Sequence, residues 1–524
     1  MTVSAGELFD PLVTTPELQA ATGAGAWVGA MLRAEAALAR AEADVGVVPG
    51  DVAETIATVC AAVTIDPATL GRAGASDANP VVPLVNQLRE LLPDEAASWV
   101  HWGATSQDIL DTAAMLVARD ALGIVEADLG GLAAGCAALA DEHRHTLMAG
   151  RTLLRHALPI TFGLKAAGWL EGIRMAAGTL RHASDQLAAQ LGGAAGTLAS
   201  LGSDGPAVSS RYAELLGLAE PVLPWHSARQ RVAALAAAVA VVAGSAAKIA
   251  VDVSLLMQDE VGEAFEPGGS SSAMPHKRNP ARCVGVSAAW RRASALVPVV
   301  LGSLSGEHER GVGAWQAEWG ALADLLATGG GAVAGARSLV DELQVVPTAM
   351  AANLAGDGAM LAEAVTVALA DRLGRRQAAE RTAAAARRLA TRQQPASSTQ
   401  DAGGTGTGTG TGTESRQSVC NGSDARAFAK ELAADPVVAA VAGIEELERL
   451  TDPASYLGAT ATWIERALAA FRTDPLAAAP SSAGEHTTVA QPTTATQPFR
   501  PIAARQPASI HHDPAPPDER DRTP

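Results

Sequence analysis

Residues Val232 to Ala247 read VAALAAAVAVVAGSAA, held between Arg231 and Lys248. A membrane-spanning helix needs roughly 20 strongly apolar residues. This run is shorter and mostly alanine. A helix that is apolar on every side in a soluble protein belongs to the core. Alanine lets neighbouring helix axes come close, so the stretch predicts the middle of a tightly packed helical bundle.

The surrounding sequence has the same character. Asp94 to Leu158, Trp225 to Glu266 and Leu301 to Val346 contain no proline and are rich in Ala, Leu, Glu and Arg, all strong helix formers. From Trp27 the segment WVGAMLRAEAALARAEADVGVV places apolar residues at three- and four-residue steps. Strand-like alternation is scarce. The reading is all-α, with helices far longer than the usual ~11–12 residues, forming a central long-helix bundle.

Composition removes several function classes. The net charge is −17 over 524 residues, whereas a nucleic-acid binder carries a basic face. Any anion site must therefore be a local basic pocket. Cys60, Cys136, Cys283 and Cys420 form no CxxC pair, and no histidine cluster has metal-ligand spacing. Scattered buried thiols in a reducing cytoplasm account for them, and no metal is expected. The N-terminus MTVSAGELFDPLV lacks a basic region followed by an apolar one, so neither a signal peptide nor a membrane partner is expected.

Two segments interrupt the helical pattern. Gln394 to Asp424 contains GTGTGTGTGT, and the chain after about Asp474 turns Pro-, Thr- and Ala-rich. Neither composition can bury a core. The expected organisation is an N-terminal helical domain, 1–110, then a central bundle domain, 111–360. A C-terminal helical domain, 361–473, follows with a flexible insertion at 394–424. The tail, 474–524, is expected to be disordered.

Three stretches carry chemistry. Gly268 to Pro280 reads GGSSSAMPHKRNP. Successive N–H groups in such a loop form an anion-binding nest, to which Lys277 adds charge and Asn279 an amide. From His101 the chain reads HWGATSQDILDTA. This is a helix start, with Thr105 and Ser106 placed to cap it or bind an anion. From Gly150 it reads GRTLLRHALPITFGLKAAGW, with His156 as a titratable group. Arg229 and Arg310 are further candidates, since guanidinium pairs bidentately with carboxylate.

The first stretch resembles the GSSxMPxKxN motif of the fumarase/aspartase superfamily. By position, Ser271 matches the catalytic serine of the family's mobile loop, while Lys277 and Asn279 match its substrate-carboxylate contacts. Ser270 stands where many members have glycine. The second stretch resembles the TSxD region, which makes Thr105 and Ser106 substrate ligands and adds His101. The third matches at Thr152 and His156 but has Leu153 where fumarases and adenylosuccinate lyases keep an acid/base histidine. That departure, with GAWQAEW (Gly313 to Trp319), NPVVPLVNQLRE (Asn79 to Glu90), LPWHSARQRVA (Leu223 to Ala233) and DPASYLG (Asp452 to Gly458), is similar to the branch of carboxymuconate cycloisomerases.

The resemblance implies a cytoplasmic homotetramer whose active sites each draw on three subunits, with no metal or organic cofactor. The implied substrate is a small tricarboxylate: 3-carboxy-cis,cis-muconate closing to 4-carboxymuconolactone in protocatechuate degradation. Ser271, Lys277 and His156 would be catalytic. His101, Thr105, Ser106, Thr152, Asn279, Arg229 and Arg310 would bind substrate. The proton carrier is left open among Ser271, His156 and His101. Another superfamily lyase, or a structural protein on the same scaffold, are the rival readings.

Overall fold

The computed structural model describes residues 5–269, 274, 276–356, 358–393 and 426–478. The Gly/Thr-rich insertion, most of the tail and Ser271 lie outside the described residues. The architecture is all-α, as the helical patterning predicts. The helices used below are α1 (Ala24–Val45), α2 (Gly50–Ala62), α3 (Ser106–Glu142), α4 (Phe162–Ser184), α5 (Gln230–Leu256), α6 (Ala281–Leu301), α7 (Ala314–Asp341), α8 (Ala362–Leu373), α9 (Arg375–Gln393), α10 (Ala427–Ala433) and α11 (Thr460–Arg472).

Helices α3 to α7 form the bundle. Near its start α3 meets the start of α7, where the Trp315 indole donates to Asp111 (2.9 Å). Further along, Arg337 of α7 donates to Asp128 of α3 (3.0 Å), so the two run parallel. Arg229, just before α5, also reaches Asp111, which starts α5 at the same end. Trp169, early in α4, donates to Asp252, late in α5 (2.8 Å), so α4 runs the opposite way. Small residues permit the close packing. A Cβ on Gly331 of α7 would lie 2.1 Å from the Val13 carbonyl oxygen.

The stretch Val232–Ala247 does sit in this core within α5, with Leu235, Ala236, Ala243 and Ala246 fully buried. It is not covered on every side, however. Val241, Val251 and Leu255 of α5 are exposed, as are Val284, Val299 and Leu301 of α6. By length and composition α3, α5 and the helical segment Ala281–Ser305 could each cross a bilayer. Here α5 packs on α6 while α3 packs on α4 and α7, and all contribute to one core.

Between α3 and α4 lies a hairpin that the scarcity of alternation did not predict. Strand β1 (Leu147–Thr152) pairs antiparallel with β2 (Arg155–Thr161). A second, minimal pair joins β3 (Ala264–Phe265) to β4 (Gln344–Val345). At the hairpin tip Leu153 and Leu154 both adopt positive φ, 52° and 63°. Such two-residue turns usually hold Asn-Gly.

A separate small core gathers Val365 and Leu369 of α8, Ala378, Ala385 and Leu389 of α9, and Phe428 and Leu432 of α10. The expected C-terminal domain needs two boundary corrections. Helix α11 packs on α4 and α3, with Ile464 and Leu468 in the main core. The order also runs past residue 473. Asp474 accepts from Arg181 (3.0 Å) and Arg174 (3.4 Å), and Leu476 is buried. A Pro/Ala-rich composition hid this short anchor.

Candidate active site

Helix α3 begins at Ser106, with Thr105 extended as its cap residue. Asp108 lies in the first turn and is fully buried. Its carboxylate accepts from the N–H groups of Thr105, Gly192 and Gly193 (2.9 Å each) and pairs with His226 Nε2 (2.7 Å). One turn on, Asp111 accepts both guanidinium N–H groups of Arg229 (2.7 and 3.0 Å). Glu318 of α7 takes the other side of Arg229. Gln107 bridges Asp111 (3.1 Å) and the His226 carbonyl (2.8 Å), and its oxygen accepts from Arg310 Nε (3.0 Å). The stretches LPWHSAR and RGVGAWQAEW thus converge on the start of α3.

This corrects one expectation. Arg229 is 3% exposed, and its guanidinium is fully engaged by two buried carboxylates. It is a structural cation beneath the site and not a substrate ligand. Arg310 is different. It is half-buried and touches Gln107 and, at 3.5 Å, the Gly193 carbonyl, with no other partner among the described residues. Thr105, Ser106 and Arg310 therefore share one end of the bundle with His101, whose Nδ1 meets Glu35 of α1 at 2.7 Å. Burial alone would depress the His101 pKa, but the Glu35 charge and hydrogen bond outweigh it, and the net shift is upward. His101 favours the cation.

The remaining candidates stand at the other end. The hairpin follows the last turn of α3, where Gly163 N–H reaches the His143 carbonyl (2.9 Å). His156 is exposed and lies opposite Arg151 in the strand register. Burial of part of the ring, then the Arg151 cation, push its pKa down. His156 favours the neutral base. Arg151 donates twice to Glu263 (2.7 Å each), which is fully buried and also accepts from Asn353 (2.8 Å). Thr152 is exposed at the hairpin's end.

The loop after β3 is anchored at its flanks. Glu266 is buried and accepts the N–H groups of Arg282 (2.7 Å) and Cys283 (3.1 Å) at the start of α6. Gly269 has φ +71°, and a Cβ there would fall 1.8 Å from the Asn279 carbonyl oxygen, so only glycine fits. Asn279 N–H donates to Gly269 (2.7 Å), and Lys277 N–H donates to Met274 (3.0 Å). The Lys277 side chain is exposed.

The two groups of residues cannot meet within one chain. Helix α3 has 37 residues, about 55 Å at ~1.5 Å per residue. His101, Thr105, Ser106 and Arg310 stand at its start, and Thr152, His156, Lys277 and Asn279 at the far end of the bundle. Reasoning from sequence missed Gln107, Asp111, Glu318, His226 and Glu35. Acidic residues inside otherwise apolar helices, such as Asp111 in α3 and Glu318 between two tryptophans, were the available signal.

The lyase family model matches residues 13–292. The chain belongs to this family, the fumarase/aspartase superfamily, and is an enzyme of it. Among its relatives, the 3-carboxy-cis,cis-muconate cycloisomerase of Bradyrhizobium diazoefficiens is 40% identical over 90% of this chain and 100% of its own. The nitrosuccinate lyase of Streptomyces davaonensis is 39% identical over 88% of this chain and 94% of its own. The crystal structure of the 3-carboxy-cis,cis-muconate lactonizing enzyme from Pseudomonas putida superposes with a TM-score of 0.78 at 37% identity. It covers 89% of this chain and 99% of that one.

Proposed function

We propose that the chain is a cytoplasmic cycloisomerase that closes 3-carboxy-cis,cis-muconate to 4-carboxymuconolactone, working as a homotetramer. The observation that carries this is the intact loop Gly268–Pro280 in a chain aligned along nearly its whole length with cycloisomerases. One substrate carboxylate adds across a conjugated double bond. Negative charge moves onto another carboxylate, and a carbon is then protonated. Lys277, Asn279 and loop N–H groups stabilise that charge as it develops. Thr105, Ser106, His101 and Arg310 hold the carboxylates of the bound substrate. Ser271 or His156 moves the carbon proton.

The separation of the two groups of residues supports assembly. A complete site needs the start of α3 from one copy and the loop or hairpin from another. The exposed apolar stripe on α5 and α6 supplies a face for such a copy to cover. The purified chain, treated with EDTA, should consume 3-carboxymuconate with loss of diene ultraviolet absorbance. Activity abolished by EDTA and restored by a divalent metal would sink the metal-free mechanism. Mixing inactive Lys277→Met with inactive Arg310→Met subunits should restore turnover roughly tenfold above either alone. No recovery after dissociation and remixing would refute the shared site.

A second reading is elimination from a substituted succinate. The 39% identity to a nitrosuccinate lyase favours it, and both reactions pass through charge developing on a carboxylate. Release of fumarate from such a substrate, without lactonisation of carboxymuconate, would select it.

A further inference from the structure

Glu35 is 1% exposed and lies on the inner face of α1. Its Oε1 accepts from His101 Nδ1 at 2.7 Å, and its Oε2 has no hydrogen-bond partner among the described residues. His101 sits at φ +63°, four residues before the cap of α3, and its Nε2 has no partner among the described residues. We propose that Glu35 is a positioning residue for the reaction, holding the His101 imidazole by Nδ1 as a cation that presents Nε2–H to a carboxylate of the substrate. The proposal rests on the functional reading above.

The physical case starts from cost. Removing a carboxylate from water is expensive unless a charged partner compensates it. Among the described residues Glu35 has one hydrogen-bond partner, the His101 ring. A neutral ring offers it one ordinary hydrogen bond, whereas an imidazolium offers a charge-assisted one. The other charged and titratable groups facing this pair are Asp108 of α3, which also favours the cation, and Arg89 of the helix Val81–Leu91, which opposes it. Glu42, Cys60 and Tyr212 feel the Glu35 charge from α1, α2 and the helix Gly205–Leu216. Burial, then that charge, push Glu42 up to about 9. Glu42 is thus a neutral acid near pH 7, and Glu35 is the acid on this face of α1 that holds a partner.

The test reads His101 directly and does not need the substrate. Diethyl pyrocarbonate acylates neutral imidazole, and peptide mass spectrometry follows residue 101 from about pH 5 to about pH 9. In the native enzyme the labelling midpoint should lie above the ordinary histidine value of ~6.5. In Glu35→Gln it should fall by at least about one pH unit, while Glu42→Gln leaves it in place. With carboxymuconate, Glu35→Gln should lower kcat/KM about tenfold near pH 8 and much less near pH 6. Equal midpoints in wild type and Glu35→Gln overturn the proposal. Should Glu35→Gln fail to fold, Glu35→Asp keeps the charge and must keep the raised midpoint; a wild-type midpoint at or below ~6.5 overturns the proposal by itself. A wild type that shows the shifted midpoint but lactonises nothing refutes the functional reading and leaves the Glu35–His101 pairing standing.

Discussion

The two ends of the helical bundle are built on opposite principles. At the start of α3, Gln107, Asp108, Asp111, His226, Arg229 and Glu318 are buried and tied to one another. At the far end, Thr152, His156 and Lys277 are exposed, and order comes from beneath, through Glu263 and Glu266. The first end is a rigid floor, made dry by the chain's own packing. The second presents polar groups to water. Such groups gain electrostatic strength only when water is excluded, which a second copy and a substrate would do. The two histidines follow the same split. Against the pull of burial, the Glu35 charge and hydrogen bond shift the His101 pKa upward, whereas partial burial and then Arg151 shift that of His156 downward. Environments that push two titratable groups apart assign them different tasks.

Substitutions at the two ends should therefore fail differently. The largest effect is expected at the floor. Asp111→Ala breaks a buried ion pair with Arg229 and should cost about 3–5 kcal/mol, read as a shifted urea midpoint. A loss below about 1 kcal/mol would mean the floor is no more rigid than a surface pair. Lys277→Met should do the reverse, lowering turnover by about 10²–10³ with an unchanged Tm. Near-normal turnover would show that the loop is not the anion-stabilising element.

His156→Gln sharpens the division between the histidines. As the acid that protonates the carbon in lactonisation, His156 should contribute on the order of 10²-fold or more. It must start protonated, so its depressed pKa places the limb on which kcat/KM falls with rising pH below the ordinary ~6.5, and that limb should vanish in the variant. The stability linkage has the opposite sense. The unfolded chain binds this proton more readily, so stability falls as pH drops from ~6.5 toward the folded pKa. A mild His156→Gln with a severe Ser271→Ala would assign the proton to the serine.

The smallest effect tests where the ordered chain stops. Ending the chain after Ala478 and removing 394–424 should leave Tm within about 2 °C. Ending it after Thr473 instead removes the Asp474 pairing and the buried Leu476. That should cost about 2–3 kcal/mol. Equal stability of the two truncations would show that the anchor on Arg174 and Arg181 contributes nothing.

The all-α class was legible because helix periodicity and alanine content are local properties of the chain. The loop motif was legible because thirteen consecutive residues, Gly268 to Pro280, carry it. The hairpin Leu147–Thr161 was not, since its tip puts two leucines at positive φ and lacks the turn residues that advertise such a bend. Arg229 looked in sequence like Arg310, a basic residue in a family-like stretch. Whether a guanidinium faces a substrate or lies beneath the floor depends on which acids fold against it, and Asp111 and Glu318 lie 118 and 89 residues away. The Glu35–His101 pair is likewise a contact across 66 residues. Sequence by itself determined the helices, the family and the loop motif, because each is written in neighbouring residues. Tertiary structure alone decided which charges are paired, which way each histidine's pKa is pushed, and that one chain holds its two groups of candidate residues at opposite ends of a bundle, because burial and distance are properties of segments brought together from far apart in the chain.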